Sequence, residues 1–390
     1  MIKHISRNSW LFIVILSLLM ATTSLSTDIY LPAMPEMAKE LQGNAELTIT
    51  GFLIGFALAQ LFWGPISDKF GRKIPLYIGV VLFTIGSVGC AFASSMPELV
   101  AWRVFQAFGA CVGPMLSRAM IRDLFERSKA AAMLSTLAIV MAAAPIVGPL
   151  VGGQLVVLSS WRAIFALLVL IGIIMFVSVM FLPETHDESR RNKGPISKNF
   201  KNYAVLLKNW GFMKYTLCVT FFYIAAYAFI AGSPHVYIDL FGVAPEHFGY
   251  LFGLNIIGIA IMSAFNRRLV NVMKLENLLR YATWFAVAAV IITIGLMALG
   301  FTSLPLLVIG VFAFFSMNGI VTAVTNAIAL DKAGNMAGAA AALLGALQYG
   351  SGIVSTLLLA VLPSGSAWPM MGIIAVFIIL SAAVVVKDLD

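Results

Sequence analysis

Twelve long apolar runs constrain this chain more than any other feature of its sequence. They lie near residues 9–31, 47–66, 74–94, 97–119, 130–156, 161–182, 211–233, 247–268, 277–299, 303–329, 337–361 and 367–387. Each is close to the ~20 residues that a helix needs to cross ~30 Å of hydrocarbon, and about twice the length of a barrel strand. With 61% hydrophobic and 11% charged residues, a soluble domain is excluded. The runs predict an all-α membrane protein with twelve transmembrane helices.

The basic residues predict the orientation of the helices. Nearly all of the 25 Lys and Arg residues fall in the N-terminus, in the loops after even-numbered runs and in the C-terminus. Only Lys39 and Arg162 lie on the opposite side, and Arg103 lies inside the fourth run. By the positive-inside rule both termini are expected in the cytoplasm. The net charge of +8 is explained in this way, and no basic tract with interleaved aromatic residues indicates a nucleic-acid partner.

A polar, mostly basic segment divides the chain into two halves. We predict an N-terminal six-helix bundle over residues 1–182, a cytoplasmic linker over 183–210, and a C-terminal six-helix bundle over 211–390. Two pseudo-symmetric bundles around a central cavity are what a transporter with two rocking halves requires. The second half shows no evident acid inside its apolar runs.

A charged motif follows the second apolar run, where residues 64–73 read Gly-Pro-Ile-Ser-Asp-Lys-Phe-Gly-Arg-Lys. Gly64 and Gly71 predict a tight turn and a close helix approach. Asp68 and Arg72 are four residues apart, so they can pair on a helical turn. Alternatively, the three cations only anchor a cytoplasmic loop.

Several segments, in the right order, carry a resemblance to the major facilitator superfamily. Residues 64–73 resemble its G-x-x-x-D-x-x-G-R-K loop, and residues 103–110 resemble its fourth-span R-x-x-Q-G-x-G-A. Residues 144–153 are similar to the fifth-span antiporter signature G-x-x-x-G-P-x-x-G-G. The last two each have one glycine replaced by alanine. Residues 27–33 and 367–369 resemble the Bcr/CflA branch, which is associated with bicyclomycin and chloramphenicol resistance.

The resemblance implies the major facilitator fold and secondary active transport. It implies proton-coupled antiport of drug-like organic molecules by alternating access, in the bacterial inner membrane. A dedicated metabolite exporter or a proton-coupled importer on the same fold is the alternative. The proton gradient would drive transport without a cofactor, and a monomer suffices for this fold. Since no nucleotide-binding loop, metal-ligand motif or nucleophile elbow occurs, we predict no enzyme activity, no catalytic residues and no metal site.

The resemblance also implies a role for the charged motif. In the family, the acid and the arginine contact neighbouring helices and latch the outward-closed arrangement. We therefore expect a conformational latch, and Asp123 at the end of the fourth run is the expected partner of Arg72. The predicted latch residues are Gly64, Asp68, Gly71, Arg72, Lys73 and Asp123.

Two intramembrane charges are candidates for proton coupling. Arg103 lies ~6 residues into the fourth run, where a cation is costly unless it faces water or a partner. Asp28 is the one acid expected inside the first six runs. Burial and a nearby arginine shift the proton affinity of a carboxylate in opposite directions, so we predict that Asp28 exchanges its proton in competition with substrate and that Arg103 tunes it. The alternatives are that Arg103 only braces neighbouring helices and that Asp28 is a boundary residue, about 27 Å along the first run.

Further polar residues are candidates for the substrate cavity, although any one of them more often forms an interhelical hydrogen bond. They are Tyr30, Gln60, Gln106 and Asn255. Arg118 is expected either to anchor a helix end or to line the cavity mouth. His235 is expected to be structural, and the roles of both stay open.

The fifth run carries small residues at four-residue spacing, a pattern of closely packed helices, together with two prolines that loosen its backbone hydrogen bonding. It predicts a hinge or seal between the halves, with helix packing alone as the alternative. The antiporter-motif residues are Pro145, Gly148, Pro149, Gly152 and Gly153, and Ala144 stands at the glycine position that precedes them.

Overall fold

The computed structural model describes residues 10–191, 197–362 and 365–386, and within these ranges the chain is helical and has no strand. Twelve stretches of helix are long and apolar enough to cross a membrane. The predicted all-α architecture with twelve spans is therefore confirmed. Most predicted span ends lie within a few residues of the helix ends, because a span is bounded by its first polar residues.

The chain divides into two compact units, a first unit from Met1 to Lys198 and a second unit from Asn199 to Asp390, so the division lies inside the predicted linker. The first six spans are built from eight helices. These are α1 (Trp10–Asp28), α2 (Met34–Glu40), α3 (Glu46–Phe70), α4 (Lys73–Phe92), α5 (Met96–Ala110), α6 (Val112–Leu124), α7 (Arg127–Leu158) and α8 (Trp161–Phe181).

Helix α9 (Ser197–Lys208) begins just before the division, and the second unit supplies the other six spans. Its helices are α10 (Trp210–Pro234), α11 (Pro245–Leu269), α12 (Leu275–Ala298), α13 (Leu304–Ser316), α14 (Asn318–Lys332), α15 (Ala337–Gly350), α16 (Gly352–Val361) and α17 (Trp368–Val386). A π-helix, His235–Leu240, continues α10.

Packing inside the first unit is built on close helix contacts. Helix α3 packs against α5, α4 packs against α5 and α8, and α1 packs against α6 and α7. Glycines permit the closest of these approaches: a Cβ atom at Gly55 would overlap the Val104 carbonyl group, and one at Gly109 would overlap the backbone of Phe83. In the second unit, α10 packs against α14, α16 and α17, while α11 packs against α13.

The interrupted spans recur at regular positions. The first contains a 3₁₀ turn at Leu31–Ala33, the fourth is broken at Cys111, the seventh ends in the π-helix, and the tenth is broken at Met317. These spans are also the longest, with 31, 29, 31 and 29 residues. The eleventh is broken too, at Ser351, but has only 25 residues. Spans one and four thus correspond in form to spans seven and ten, which is the pattern of internally repeated transporter folds.

Candidate functional site

The side chain of Arg103 is fully enclosed inside the first unit. The Nη1 atom of Arg103 donates to Oε1 of Gln106, one turn further along α5, at 2.6 Å. The guanidinium carbon lies 4.4 Å from the ring centroids of both Tyr30 and Phe52. The sequence predicted that this cation faces water or a partner, and among the described residues its partners are an amide and two aromatic faces.

A chain of buried hydrogen bonds leads away from Arg103 into α4. The Nε2 atom of Gln106 donates to Oγ of Ser87 at 2.7 Å, and Ser87 donates to the carbonyl oxygen of Phe83 at 2.7 Å. A Cβ atom at Gly86 would lie 2.6 Å from the Gln106 backbone, so the missing side chain allows this approach. The R-x-x-Q spacing therefore orients the guanidinium, because the bond from Nη1 to Gln106 is itself held in place by the bonds of Gln106 and Ser87.

Two N–H groups of Arg103 remain without a hydrogen-bond partner among the described residues. Both Nε and Nη2 are buried and unsatisfied, which costs free energy unless an acceptor approaches. Two groups with acceptor oxygens lie within the electrostatic field of Arg103: the hydroxyl of Tyr30 and the carboxylate of Asp28, which is only 7% exposed. No ion pair among the described residues includes Asp28. The site thus holds an acid and unused donors in one unit.

Asp28 lies inside the helical stretch of the first span, whereas one alternative from the sequence placed it at the boundary of a shorter span. It is the last residue of α1, but the helical stretch continues through the 3₁₀ turn to Glu40. Twelve further residues correspond to about 18 Å of helix. The sequence suggested an earlier end because Pro32 and Pro35 interrupt the apolar run. In the structure both prolines sit near the start of short helical segments, where a missing N–H is tolerated.

The fifth-span motif packs directly against the segment that carries Asp28. A Cβ atom at Gly148 would lie 3.3 Å from the Ile29 nitrogen, and one at Gly152 would overlap the Ile29 carbonyl oxygen. Gly153 is also buried, and Pro145 and Pro149 lie inside α7. The spacing of small residues is therefore used for close packing inside the first unit, as the packing alternative required. The role as a seal between the halves stays a prediction.

Tyr30 belongs to the same cluster, while two other predicted cavity residues do not. The hydroxyl of Tyr30 lies 3.0 Å from Oγ1 of Thr48, which fixes the ring over Arg103. Gln60 is half-buried on α3, about 12 Å along the helix from Phe52. Asn255 is buried in the second unit, where its Nδ2 atom donates to a carbonyl of its own helix at 3.1 Å.

The charged motif forms the predicted ion pairs at the end of α3. Gly71 has φ of +89°, a conformation that favours glycine and reverses the chain. Arg72 donates to Asp68 at 2.7 Å and to Asp123 at 2.8 Å. Burial alone would lower the pKa of Arg72, but the carboxylates of Asp123 and Asp68 raise it above its ordinary value. The expected contacts are formed, and their role as a conformational latch stays a prediction.

The first part of the motif is helical, and it is not the loop that the sequence suggested. Helix α3 continues to Phe70, so Gly64 lies inside it. A Cβ atom at Gly64 would meet nothing within 4 Å. Among the described residues no neighbouring helix reaches that face, so the predicted close approach at Gly64 is not formed. Only Gly71 has the backbone conformation that a turn requires.

Sequence reasoning missed Glu184, which ties the start of the linker to the latch residues. Its carboxylate accepts the backbone N–H groups of Arg72 at 2.9 Å and of Lys73 at 3.0 Å, at the beginning of α4. The same carboxylate also accepts hydrogen bonds from the backbone N–H groups of Thr185 and His186. Burial alone would raise the pKa of Glu184, but these four bonds hold it below its ordinary range. An acid three residues after a span could have been recognised as a cap for a neighbouring helix.

Two neighbours of Glu184 complete the contact with the fourth span. The Oγ1 atom of Thr185 donates to Asp123 at 3.2 Å, and Nδ1 of His186 lies 3.9 Å from the same carboxylate. The carboxylate of Asp123 therefore contacts side chains of two segments: Arg72, in the connection between the second and third spans, and Thr185 and His186, in the linker. The end of the sixth span and the latch residues form one polar cluster in the first unit.

At the end of the seventh span, Asp239 lies in the π-helix, 3.0 Å from Nδ1 of His235. It is exposed and is the penultimate residue of the span, so it does not change the expectation that the apolar runs of the second half carry no acid. Arg118 is exposed on α6 and points Nη2 at the sulfur of Met141, 3.9 Å away, a contact that decides neither of its predicted roles.

Aromatic rings dominate the interior of the second unit. Phe252 stacks on Phe229 and on Phe248, with 5.8 Å between ring centroids in both pairs. Phe315 meets Phe229 edge-on at 5.2 Å, and Tyr237 extends the cluster. This unit has an apolar aromatic core at the place in its fold where the first unit has a charged cluster.

Comparisons with known proteins identify relatives over nearly the whole chain. The family model described as Major Facilitator Superfamily matches residues 16–356. An uncharacterised MFS-type transporter of Bacillus subtilis, YdgK, is 36% identical over 341 residues, covering 85% of this chain and 84% of the relative. A bicyclomycin resistance protein homologue of Haemophilus influenzae is 32% identical, covering 96% and 95%. A chloramphenicol resistance protein of Pseudomonas aeruginosa is 30% identical, covering 89% and 83%.

Solved structures agree with the fold. The crystal structure of a D-xylose-proton symporter superposes with a TM-score of 0.76 over 98% of both chains, at 16% sequence identity. At this identity the likeness shows the fold alone. The named relatives confirm the resemblance to the bicyclomycin and chloramphenicol resistance branch.

Proposed function

The chain belongs to the Major Facilitator Superfamily, and from that premise we propose that it exports drug-like organic molecules in exchange for protons. As a member of this family it is a multi-pass membrane transporter and not an enzyme. The names of relatives that span almost its full length, bicyclomycin and chloramphenicol resistance proteins, support an antibiotic-sized substrate.

The site around Asp28 carries the proposal of proton coupling. The carboxylate is almost buried, has no ion pair among the described residues and lies at the interruption of the first span. Arg103 supplies a fixed positive charge and two unsatisfied N–H groups in the same unit. A carboxylic acid in such a place changes its charge when its surroundings change, which is the requirement for a coupling residue.

The exchange follows from the preferences of the two protonation states. A substrate that carries positive charge or donates hydrogen bonds stabilises the carboxylate of Asp28 and expels its proton. Protonation from the outer side removes that attraction, so the substrate dissociates. Arg103 moderates the cost of the charged state without neutralising it permanently, because Gln106 and the aromatic rings hold the guanidinium in place.

Alternating access is supported by the interrupted spans. Discontinuous helices in corresponding positions of the repeats are where transporters bind substrate and change shape, and here they are spans one, four, seven and ten. The contacts of Arg72 with Asp68 and Asp123 suit a latch that holds one of the two states.

The basic loops support a bacterial inner-membrane location with both termini in the cytoplasm. The proton gradient supplies the free energy, so no cofactor is required. A single chain contains both six-span units and can act as a monomer.

Drug-induced proton release from everted membrane vesicles tests the proposal. Vesicles from an efflux-deficient host are acidified inside, and chloramphenicol or bicyclomycin is added while a pH-sensitive dye reports the lumen. We expect proton release with the wild type and none with Asp28→Asn. Asp187→Asn, which changes an exposed acid after α8, is the matched control and should retain the signal.

Each contrary outcome has a defined meaning. Unchanged proton release in Asp28→Asn would remove Asp28 from the mechanism. Accumulation of either drug in right-side-out cells along the proton gradient would identify an importer. Absence of a drug response, with proton release on addition of a cytoplasmic metabolite extract, would favour a dedicated metabolite exporter.

A further inference from the structure

A groove opens on the outer surface of the first unit, between α4 and α8. Its volume is about 240 Å³, and it is lined by Val81, Thr84, Ile85, Ile173 and Phe176. The one hydroxyl group in the lining, on Thr84, donates to the Val80 carbonyl oxygen at 2.8 Å, so it needs no further partner. The groove is therefore fully apolar, and in a membrane protein hydrocarbon fills such a surface.

A continuous series of contacts joins this groove to a cation at the end of α4. The ring of Phe176 meets the ring of Tyr77 edge-on at 5.5 Å. The Nζ atom of Lys73 lies 5.9 Å from the centroid of Tyr77 and donates to the Met180 carbonyl oxygen at 3.1 Å. Lys73 thus bridges the same two helices that form the groove. The Lys73 ammonium group, the Tyr77 ring and the apolar groove therefore lie in this order along the surface of α4 and α8, and we call this series of groups the stripe.

The dimensions of this stripe match one leaflet of a bilayer. Twelve residues separate Lys73 from Ile85, which corresponds to about 18 Å along the helix axis. Half of the hydrocarbon thickness is about 15 Å. An aromatic ring near the end of a span is also typical of the interface between lipid headgroups and hydrocarbon. A lipid whose headgroup contacts Lys73 therefore has its acyl chain beside Ile85.

We propose that this stripe is a binding site for one anionic phospholipid of the leaflet that faces Lys73. The acyl chain occupies the groove between α4 and α8, and the headgroup phosphate contacts the Lys73 ammonium group. An ammonium group has three N–H donors, and the described contacts use one of them, on Met180. The neighbouring carboxylate of Glu184 attracts the ammonium electrostatically but forms no ion pair with it among the described contacts, because four backbone N–H groups bind that carboxylate.

The site joins the lipid to the latch residues. Lys73 is the first residue of α4, directly after Arg72, and its backbone N–H group is held by Glu184. An anionic headgroup adds negative charge beside this cluster and stabilises the contact between α4 and α8. Lipid composition is thereby linked to the part of the first unit that holds the latch contacts.

Native mass spectrometry of the purified full-length protein tests the site. Delipidated protein is titrated with phosphatidylglycerol or with phosphatidylethanolamine of the same acyl chains. We expect one phosphatidylglycerol to be retained at least about 5-fold more than phosphatidylethanolamine, since a cation near a membrane surface favours an anionic lipid by ~1 kcal/mol. Lys73→Gln should abolish the preference while leaving acyl-chain binding.

A matched pair of variants tests the groove itself. Ile173→Trp fills the groove, whereas Ile174→Trp adds the same volume to a neighbouring, similarly exposed position that does not line it. We expect lipid retention to fall about 5-fold in Ile173→Trp only. Equal retention in the two variants, retention of a detergent molecule in place of lipid, or equal binding of both lipids by the wild type would overturn the proposal. Each protein is first checked by its melting temperature, and the readout does not depend on transport.

Discussion

The two six-span units share a pattern of interrupted helices but differ in what they bury. The first unit encloses Arg103, Asp28 and most of Arg72. The second unit stacks Phe229, Phe248 and Phe252 in its interior. Similar helix geometry therefore supports a charged cluster in one half and an aromatic core in the other.

The difference indicates a division of roles. A buried charge is costly and persists where it has partners or a function, while aromatic packing provides stability at no cost in desolvated charge. We expect substitutions in the first unit to alter proton coupling, and equivalent substitutions in the second unit to alter stability alone. Paired substitutions across the two units test this expectation.

The largest effect is expected from Arg103→Lys. The variant keeps the charge but cannot reproduce both the bond to Gln106 and the stacking on two rings, so a buried amide oxygen loses its donor. Such a loss costs about 1–3 kcal/mol. Drug-dependent proton exchange in vesicles should fall roughly 10- to 100-fold. Asn255→Ala, in the second unit, should reduce it by about 5-fold or less, because the one hydrogen bond of the Asn255 side chain among the described residues lies within its own helix. Equal losses of proton exchange in the two variants would show that the two units do not differ in their role in coupling.

The second effect in size is expected from Gly152→Ala. The new methyl group overlaps the Ile29 carbonyl oxygen, which forces α7 away from the end of α1. Overpacking of this kind costs about 1–3 kcal/mol, so the melting temperature of the purified protein should fall. Gly295→Ala in the second unit faces open space within a helix and should be neutral or stabilising by up to about 1 kcal/mol. A stable Gly152→Ala protein would show that this contact does not hold Asp28.

A pair of phenylalanines sharpens the comparison further. Phe52 stacks on Phe56 and faces the guanidinium of Arg103, while Phe252 stacks on Phe229 and Phe248. Each aromatic pair contributes about 0.5–1.5 kcal/mol, so Phe52→Leu and Phe252→Leu should both lower the free energy of unfolding by about 1–2 kcal/mol. Only Phe52→Leu should change the pH dependence of transport. A changed pH profile in Phe252→Leu would show that the second unit takes part in coupling.

The smallest effect is expected from Glu184→Gln. The pKa of Glu184 is lower in the folded protein than in the unfolded chain. Its stabilising contribution is therefore complete above the unfolded pKa of about 4.3 and is lost as the pH falls through the folded pKa. Because the residue is exposed to solvent, we expect a difference of only about 0.5 kcal/mol at neutral pH.

Denaturation of wild type and Glu184→Gln at several pH values measures this difference, which should shrink as the pH falls below the unfolded pKa of about 4.3 and vanish below the folded pKa. Glu276→Gln is the matched control in the second unit. Its carboxylate lies in the first turn of α12 and accepts no hydrogen bond among the described residues. A pH-independent difference for Glu184→Gln would rule out the backbone N–H bonds as its cause.

Local patterns predicted the spans and several of the contacts. The i, i+4 spacing of Asp68 and Arg72 was sufficient to predict their pairing, which the structure contains. Contacts between segments distant in sequence were harder to foresee. Nothing in the sequence connected Gly152 to Ile29, or Glu184 to the backbone of Arg72 and Lys73. These contacts depend on which faces of the helices meet.

Two errors in the predicted elements have physical causes. The first span was ended too early because prolines and polar residues weaken hydropathy, whereas short helical segments tolerate proline at their first positions. Gly64 was expected at a close contact because glycine permits one, but a permitted contact still needs a neighbour. The structure places none within 4 Å of its added Cβ.

The sequence by itself determined that this chain crosses a membrane twelve times as helices, because a span must satisfy its own backbone hydrogen bonds over a fixed apolar length. It also determined the family and the residue types that carry charge into the membrane. Only the tertiary structure decided which charges meet, that Arg103 is enclosed by rings and an amide, and that the fifth-span glycines hold the segment of Asp28. Those outcomes depend on interhelical contacts, which local periodicity does not encode.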